Sequence, residues 1–318
     1  MLNAYWDISS AKKLRFEISM QLNFIGRVIR KLERWSSNSS ASTVNPSFTQ
    51  SEVVPEDLLA KQLLAGKTAL VTGGASNIGR GIAIEMAQQG ANIIVVDKDQ
   101  AACERLKPTI SGMGVQYHAF TIDITDTAAI AQMLQALRDQ NQAINILVNN
   151  VGIVPHETGF GNLAGNHFRD LFEVNVFAPM ALTYQVTQAM LATNKPGVIL
   201  FITSIHQSVT SRWIAYSSSK AAIQMAVQEL ALELAGANIR VNGIAPGWVA
   251  EDEQANPKPH PYTPLGKCSI NPRYIGRAAV YLASDYFSRF TTGTVLTIDA
   301  GLSLYNSRTQ EAPPPHFH

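Results

Sequence analysis

The chain has 318 residues, of which 46% are hydrophobic and 15% are charged, and its formal net charge is +1. This length and composition predict a globular protein with one large α/β domain or two smaller ones. The small net charge disfavours nucleic acid as a partner, because no basic excess is present to neutralise phosphates. The two cysteines, Cys103 and Cys268, form no metal-binding spacing and no disulfide framework, so we expect no metal and a reducing, cytoplasmic compartment.

The first residues differ in pattern from the rest of the chain. Apolar residues recur at helical spacing within residues 11–35, surrounded by seven basic and two acidic side chains, as in a basic amphipathic helix. Three roles stay open for this segment: peripheral contact with an anionic membrane, targeting, and packing on a neighbouring subunit. We predict a helical extension at 1–36, a linker at 37–63, a folded domain at 64–305 and a flexible tail at 306–318.

Strand-like and helix-like segments alternate after the linker. The strand-like runs are KTALVT, NIIVVD, VQYHAFTID, INILVNN, GVILFIT, IRVNGIAP and TVLTID. This alternation predicts βαβ units and an α/β fold, a doubly wound parallel sheet of Rossmann type in a single domain. In such sheets ligands bind outside the carboxyl ends of the strands, where the strand order switches. Functional residues are therefore expected directly after each strand.

One uncharged segment is long enough to be considered as a membrane span. Residues 174–194 carry no charge, and a run of this length can cross a bilayer. Asn175, Gln185 and Gln188 interrupt the run, so we predict a buried helix there.

The loop after the first predicted strand has the sequence TGGASNIGRG, residues 72–81. Its glycines allow the backbone to turn tightly and approach a pyrophosphate, and the following helix offers its free N–H groups. Asn77 stands where a third glycine is expected, and asparagine tolerates a left-handed conformation. We interpret the loop as a nucleotide-binding site, with an ordinary glycine-rich turn as the alternative.

Asp97 ends the second predicted strand. A carboxylate there can accept both hydroxyls of an adenosine ribose and repel a 2′-phosphate. Asp97 therefore favours NAD over NADP, although the neighbouring Lys98 would weaken the repulsion. The alternative is that Asp97 caps the next helix.

Tyr216 and Lys220 lie four residues apart in a predicted helix, on one face. An ammonium about 4 Å from the phenol contributes roughly 4 kcal/mol at an effective dielectric near 20. We therefore expect Lys220 to lower the pKa of Tyr216 and make it a usable proton donor and acceptor for an alcohol and ketone pair.

The complete set of motifs resembles the short-chain dehydrogenase/reductase family. The set comprises the glycine-rich first turn, Asp97, NNVG after the fourth strand, ITS closing the fifth, YSSSK and then APG, over about residues 64–304. The resemblance implies that residues 64–305 form an NAD-binding catalytic domain. The implied cofactor-binding residues are Gly73, Ser76, Asn77, Ile78, Gly79, Asp97, Asp123, Ile124, Asn150, Tyr216, Lys220, Pro246, Gly247 and Val249.

The resemblance also implies catalytic roles. Ser204 matches the serine that hydrogen-bonds the substrate oxygen, Tyr216 the general acid/base, and Lys220 the residue that tunes Tyr216 and holds the nicotinamide ribose. Asn175 matches the asparagine whose helix carries a water in the proton relay. Asp123 matches the residue that contacts adenine, and a helix cap is its other reading.

Some positions depart from the family pattern, and for others two alternative roles stay open. Asn77 replaces the middle glycine of the first turn, and Val151 replaces the alanine of the usual NNAG. Ala250 and Glu251 stand where a threonine usually binds the nicotinamide carboxamide. Pocket and structural roles are both open for His206, Gln207, Trp213 and Trp248.

The sequence thus predicts an NAD-dependent oxidoreductase that moves a hydride between nicotinamide and a small-molecule secondary alcohol or ketone. A non-catalytic dinucleotide-binding sensor or scaffold is the alternative. Two charge-poor helical segments would leave apolar surface exposed on a monomer, and family members commonly pair these helices. We therefore expect a homodimer or homotetramer.

Overall fold

The computed structural model describes residues 62–154, 159–160, 166–193, 195–252 and 255–304. The predicted extension at 1–36 and the predicted tail at 306–318 lie outside the described residues, as does the predicted linker up to residue 61.

One parallel sheet forms the centre of the described chain. Its seven strands lie in the order β3-β2-β1-β4-β5-β6-β7. The strands are β1 (Thr68–Thr72), β2 (Asn92–Asp97), β3 (Tyr117–Thr121), β4 (Ile146–Asn149), β5 (Gly197–Ile202), β6 (Ile239–Pro246) and β7 (Val295–Ile298). Every neighbouring pair is parallel, with Val71 of β1 in register with Val95 of β2 and Val148 of β4.

Helices connect these strands. The α-helices are α1 (Asn77–Gln88), α2 (Gln100–Ser111), α3 (Thr127–Asp139), α4 (His167–Phe172), α5 (Ala178–Thr193), α6 (Ile214–Leu234), α7 (Pro272–Ala283) and α8 (Asp285–Ser288). One turn of π-helix, Glu173–Phe177, joins α4 to α5. Short 3₁₀ turns lie at Ile205–Gln207, Ala235–Ala237 and Leu302–Leu304.

The helices cover both faces of the sheet. Helices α1, α2 and α7 pack on one face and α3, α5 and α6 on the other. Successive side chains of a strand point to opposite faces, so Val71 joins the first core and Leu70 the second. The five inner strands are buried on both sides, which explains their continuous apolar runs, whereas the edge strands β3 and β7 are partly exposed. The doubly wound fold predicted from the sequence is confirmed.

The uncharged segment 174–194 spans part of the π-helical turn and α5. Leu182, Val186 and Met190 of α5 are buried against the sheet, so the predicted helix is confirmed and one of its faces is buried, whereas Tyr184 on another face is exposed. Of the helices in the described ranges, none combines the length and the apolar run that crossing a bilayer requires.

The strand order reverses between β1 and β4. The chain proceeds from β1 to β2 and β3 on one side, and from β4 to β5, β6 and β7 on the other. Loops that leave the carboxyl ends of β1 and β4 therefore diverge and leave a crevice, which is where ligands bind in sheets of this type.

Candidate active site

The glycine-rich loop turns sharply between β1 and α1. Gly73 has φ of +60° and Asn77 has φ of +46°, so the left-handed conformation expected for Asn77 is confirmed. A Cβ atom on Gly79 would lie 1.9 Å from the carbonyl oxygen of Gly73, and only glycine fits there. Helix α1 begins after Ser76 with no side chain capping it, so its first N–H groups are left for an anion.

The side chain of Asn150 fixes this loop to the neighbouring strand. Its Nδ2 donates to the carbonyl oxygens of Thr72 and Gly73 at 2.9 and 3.2 Å. The backbone N–H of Asn150 donates to Oγ1 of Thr72 at 2.9 Å. The ends of β1 and β4 are therefore joined directly beneath the crevice.

Asp97 holds the same loop from the other side. Its Oδ2 accepts a hydrogen bond from the backbone N–H of Ala75 at 3.1 Å, and its Oδ1 accepts one from Asp99 at 3.1 Å. The cap of α2 is Asp99, which accepts from Ala102, so the alternative reading of Asp97 as a helix cap is wrong.

Asp123 follows β3 and forms a tight local turn. Its Oδ1 accepts from the backbone N–H and the hydroxyl of Thr125 at 2.9 and 2.7 Å. These two bonds hold the pKa of Asp123 below its ordinary value. Helix α3 is capped by Asp126 instead, so the helix-cap reading of Asp123 is also wrong.

Ser204, Tyr216 and Lys220 meet at the carboxyl end of β5. Ser204 lies two residues past the strand, and its Oγ accepts from the backbone N–H of His206 at 3.2 Å. Tyr216 lies in the first turn of α6 and lines the same cavity as Ser204. Lys220, one turn further on, donates from Nζ to the carbonyl oxygen of Ile202 at 3.0 Å. All three side chains are buried.

Burial governs the protonation of Tyr216 and Lys220. It raises the pKa of Tyr216, and the neighbouring side chain of Ser204 only partly opposes this. It also lowers the pKa of Lys220 to about 8. The expectation that Lys220 lowers the pKa of Tyr216 is therefore wrong for this arrangement. The Nζ atom lies over the phenol ring, 5.6 Å from its centroid, and removing both groups from water disfavours their charged forms.

Asn175 lies behind this cluster, in the π-helical turn, a rare conformation that recurs at functional sites. Its side chain pairs with the backbone of Ile153, accepting from N–H at 2.8 Å and donating to the carbonyl oxygen at 3.0 Å. Its Nδ2 also donates to Oγ of Ser219 at 3.2 Å, and Ser219 donates to the carbonyl oxygen of Tyr216 at 2.7 Å. Asn175 is thus joined to the turn that carries Tyr216.

A cavity of about 980 Å³ runs along the carboxyl ends of the strands. All the predicted site residues line it except Gly79, which lies beneath the loop, and Asn175, which lies behind the cluster. His206, Trp213 and Trp248 also line it, whereas Gln207 does not. The cavity is further lined by His260 and Tyr262, which are not among the predicted site residues.

The segment 248–265 explains why those two residues escaped prediction. It folds back through a bridge between Pro259 and Cys268 and another between Val249 and Ile270. Contacts of this kind leave no local sequence pattern. Ala250 is buried and donates to Ile270, and Glu251 forms an exposed ion pair with Lys258; neither residue lines the cavity.

The crevice, the glycine-rich loop and the adjacent polar cluster define a dinucleotide-binding α/β protein. Residues 67–260 match the family described as short chain dehydrogenase. The chain belongs to the short-chain dehydrogenase/reductase family, whose members are oxidoreductases that bind a nicotinamide dinucleotide.

Several individual proteins are similar over the same region. The chain is 33% identical to oxidoreductase UcpA of Escherichia coli (strain K12), covering 76% of this chain and 96% of that protein. It is also 33% identical to 7alpha-hydroxysteroid dehydrogenase of the same strain, covering 75% and 94%. A solved structure of a 7alpha-hydroxysteroid dehydrogenase with NADH and 7-oxo glycochenodeoxycholic acid superposes with a TM-score of 0.68 at 32% identity, covering 76% of this chain and 96% of that one.

Proposed function

We propose that the protein is an NAD-dependent dehydrogenase that interconverts a secondary alcohol and a ketone, with Tyr216 as the general acid/base. One observation carries this proposal. Ser204 and Tyr216 are both buried and line the same cavity as the glycine-rich loop. A non-catalytic sensor needs the loop and Asp97 but not this buried pair.

The residues of the crevice fit a nicotinamide dinucleotide. The start of α1 supplies N–H donors for a pyrophosphate, and the lack of side chains at Gly73 and Gly79 lets the backbone approach it. Asp97 and Asp123 provide carboxylate acceptors at the ends of β2 and β3, suited to a ribose and an adenine. When bound, the nicotinamide ring accepts or delivers the hydride.

The polar cluster handles the proton. Ser204 donates to the substrate oxygen and orients it against the Tyr216 hydroxyl. Tyr216 takes the proton from an alcohol or gives it to a ketone at its phenol oxygen. Burial favours the protonated phenol, which suits reduction of a ketone. Lys220, with a pKa of about 8, can exchange a proton near neutral pH, and Asn175 holds the turn behind it.

Asp97 supports NAD over NADP. Both carboxylate oxygens are held by backbone N–H groups of Ala75 and Asp99, so the side chain cannot swing away from a 2′-phosphate without losing both bonds. The solved relative with NADH agrees with this choice in its own complex. Lys98 also lines the cavity, and its positive charge would weaken the repulsion of a 2′-phosphate.

The remaining proposals concern the oligomeric state, the cellular compartment and the substrate of the enzyme. We propose a homodimer or homotetramer in the cytoplasm, acting on a small-molecule alcohol or ketone. Peripheral membrane contact through residues 11–35 remains one of three proposed roles for that segment.

A pair of tyrosine variants tests the mechanism. Tyr216→Phe removes only the hydroxyl, so we expect turnover to fall by about 100-fold or more while NAD binding is unchanged. Tyr286→Phe is the matched control, because Tyr286 is exposed on α8 and lies outside the cavity. Turnover in Tyr216→Phe close to that of the control would refute the proposed role and favour the sensor.

A further inference from the structure

Aromatic rings form two walls at the substrate end of the cavity, beside Tyr216. The first wall consists of His206, Trp213 and Tyr216. The ring centroids of His206 lie 5.1 Å from Trp213 and 5.7 Å from Tyr216, and those of Trp213 and Tyr216 are 5.9 Å apart. All three pairs are tilted or edge-on, which is the favourable arrangement for aromatic rings.

The second wall comes from the segment after β6. His260 packs between Trp248 and Tyr262, at centroid distances of 4.3 and 5.8 Å. The backbone N–H of His260 donates to the carbonyl oxygen of Lys267 at 2.9 Å, and Thr263 next to this wall is fully buried. The second wall is therefore fixed by the fold. Apolar side chains also line the cavity, namely Ile153, Val154, Val209 and Leu302.

Charge is distributed unevenly along the cavity. Three charged residues of the described lining lie on the other side of the switch point from the aromatic walls. Asp97 ends β2, Lys98 follows it, and Asp123 follows β3. Lys220 is the one formally charged lining residue near Tyr216 in this described set, and its Nζ is bonded to a backbone carbonyl. Burial lowers the pKa of both His206 and His260, so both imidazoles are neutral at neutral pH.

We propose that the substrate is an uncharged cyclic alcohol or ketone whose ring is predominantly hydrocarbon. This inference rests on the proposed function, since it concerns the same site. Aromatic walls and apolar side chains favour burial of hydrocarbon surface. A carboxylate or phosphate would lose its hydration without gaining a charged partner from the described walls, which is costly.

A polyhydroxylated ring is disfavoured for a related reason. Ser204 and Tyr216 are assigned to the reacting oxygen. The polar groups left in the walls are the two imidazoles, the hydroxyl of Tyr262 and the indole N–H groups of Trp213 and Trp248, each on a largely apolar ring. Further hydroxyl groups would be buried with too few hydrogen-bond partners. Sugars and hydroxy acids are therefore expected to bind more weakly than a hydrocarbon ring of similar size.

Three cyclohexanones provide a matched test of this preference. They are 4-isopropylcyclohexanone, the near-isosteric anion 4-oxocyclohexane-1-carboxylate, and the polyhydroxylated scyllo-inosose. Titration calorimetry on the full chain saturated with NAD⁺ measures binding alone, because NAD⁺ and a ketone are both oxidised and do not react. We expect the isopropyl compound to bind at least about 10-fold more tightly than either of the others, since a polar group without a partner costs at least that much.

The wall residues can be tested with the same ligands. Trp248→Ala should weaken binding of 4-isopropylcyclohexanone by about 10-fold, whereas Tyr286→Ala, which removes an exposed aromatic ring outside the cavity, should leave it unchanged. Equal or tighter binding of the carboxylate or scyllo-inosose, or no measurable binding of the isopropyl compound, overturns the inference. Selective binding of the isopropyl compound without its reduction by NADH supports the inference and counts against the proposed function.

Discussion

The burial of Lys220 lowers the stability of the folded protein at neutral pH. Its side chain is 4% exposed, and burial lowers its pKa from the ordinary 10.5 to about 8. In the unfolded chain a lysine has a pKa of about 10.4. Between pH 8 and that value the unfolded state binds more protons, so the stability of the folded state rises with pH in this window. Below pH 8 the full destabilisation remains.

Replacing Lys220 should therefore stabilise the protein while removing activity. Each pKa unit corresponds to about 1.4 kcal/mol, so burying the ammonium costs about 3 kcal/mol, reduced by about 1 kcal/mol for the bond to Ile202. We expect Lys220→Met to raise the free energy of unfolding at pH 7 by about 2 kcal/mol, and by less at pH 10. Urea unfolding at both pH values measures this. Lys258→Met, at an exposed ion pair, should change stability by less than about 0.5 kcal/mol at either pH. A less stable Lys220→Met at pH 7 contradicts the prediction.

At the scale of one side chain, we propose that Asp97 sets the choice between NAD and NADP. Asp97→Ala removes the negative charge and the acceptor for Ala75 together, so NAD should bind more weakly and exclusion of NADP should be relieved. Asp97→Asn keeps the shape of the side chain and removes its charge. Comparing it with Asp97→Ala therefore separates the repulsion of the 2′-phosphate from the effect on the geometry of the glycine-rich loop. The ratio of kcat/KM for NADP and NAD should rise in both variants. A wild-type protein that already prefers NADP would show that Lys98 outweighs Asp97.

At the scale of one element, we propose that cofactor binding depends on the glycine-rich loop. A Cβ at Gly79 would lie 1.9 Å from the Gly73 oxygen, whereas a Cβ at Gly236 meets nothing within 4 Å. We expect Gly79→Ala to weaken NADH binding by about 10-fold or more, since the loop must move by more than the tolerance of a preorganised site. Fluorescence titration with NADH checks this. Gly236→Ala is the control, and equal affinities of the two variants would show that the loop adapts.

Elements were predictable from sequence where local patterns determine them. The seven strand-like runs all became strands. The five inner strands are apolar because a parallel strand that is buried on both faces must be apolar throughout. Asn77 was predictable because few residues adopt a positive φ. The raised pKa of Tyr216 was not predictable, since it depends on how deeply the start of α6 is buried. The second aromatic wall was not predictable either, because His260 and Tyr262 reach the cavity through long-range bridges.

At the scale of the whole molecule, apolar side chains remain uncovered on two helices. Tyr184 of α5 is 66% exposed and Leu232 of α6 is 79% exposed, and both helices pack on the same face of the sheet. Exposed apolar surface of this kind indicates an interface, and we propose that a second copy covers it. Sedimentation velocity at micromolar concentration should give a dimer or tetramer. Leu232→Glu should shift the protein towards smaller species, and a monomeric wild type contradicts the proposal.

The N-terminal extension should be separable from catalysis. Every residue assigned to the site lies within the described residues between 62 and 304, and Leu64, which follows the predicted linker closely, is fully buried. Deleting residues 1–60 leaves Leu64 and the whole site in place, so turnover per active site should be unchanged. A loss of activity per site would show that the extension contributes to the active site or to its assembly.

The same truncation tests two of the three roles proposed for residues 11–35, membrane contact and packing on a neighbouring subunit. Binding to an anionic membrane would combine an apolar stripe with seven basic side chains, and the electrostatic part would weaken with salt. Full-length protein should then sediment with vesicles that contain phosphatidylserine, less so at high salt, and the truncated form should not. If the two forms sediment equally, the membrane role is wrong. A smaller oligomer after truncation would instead identify the segment as a contact between subunits.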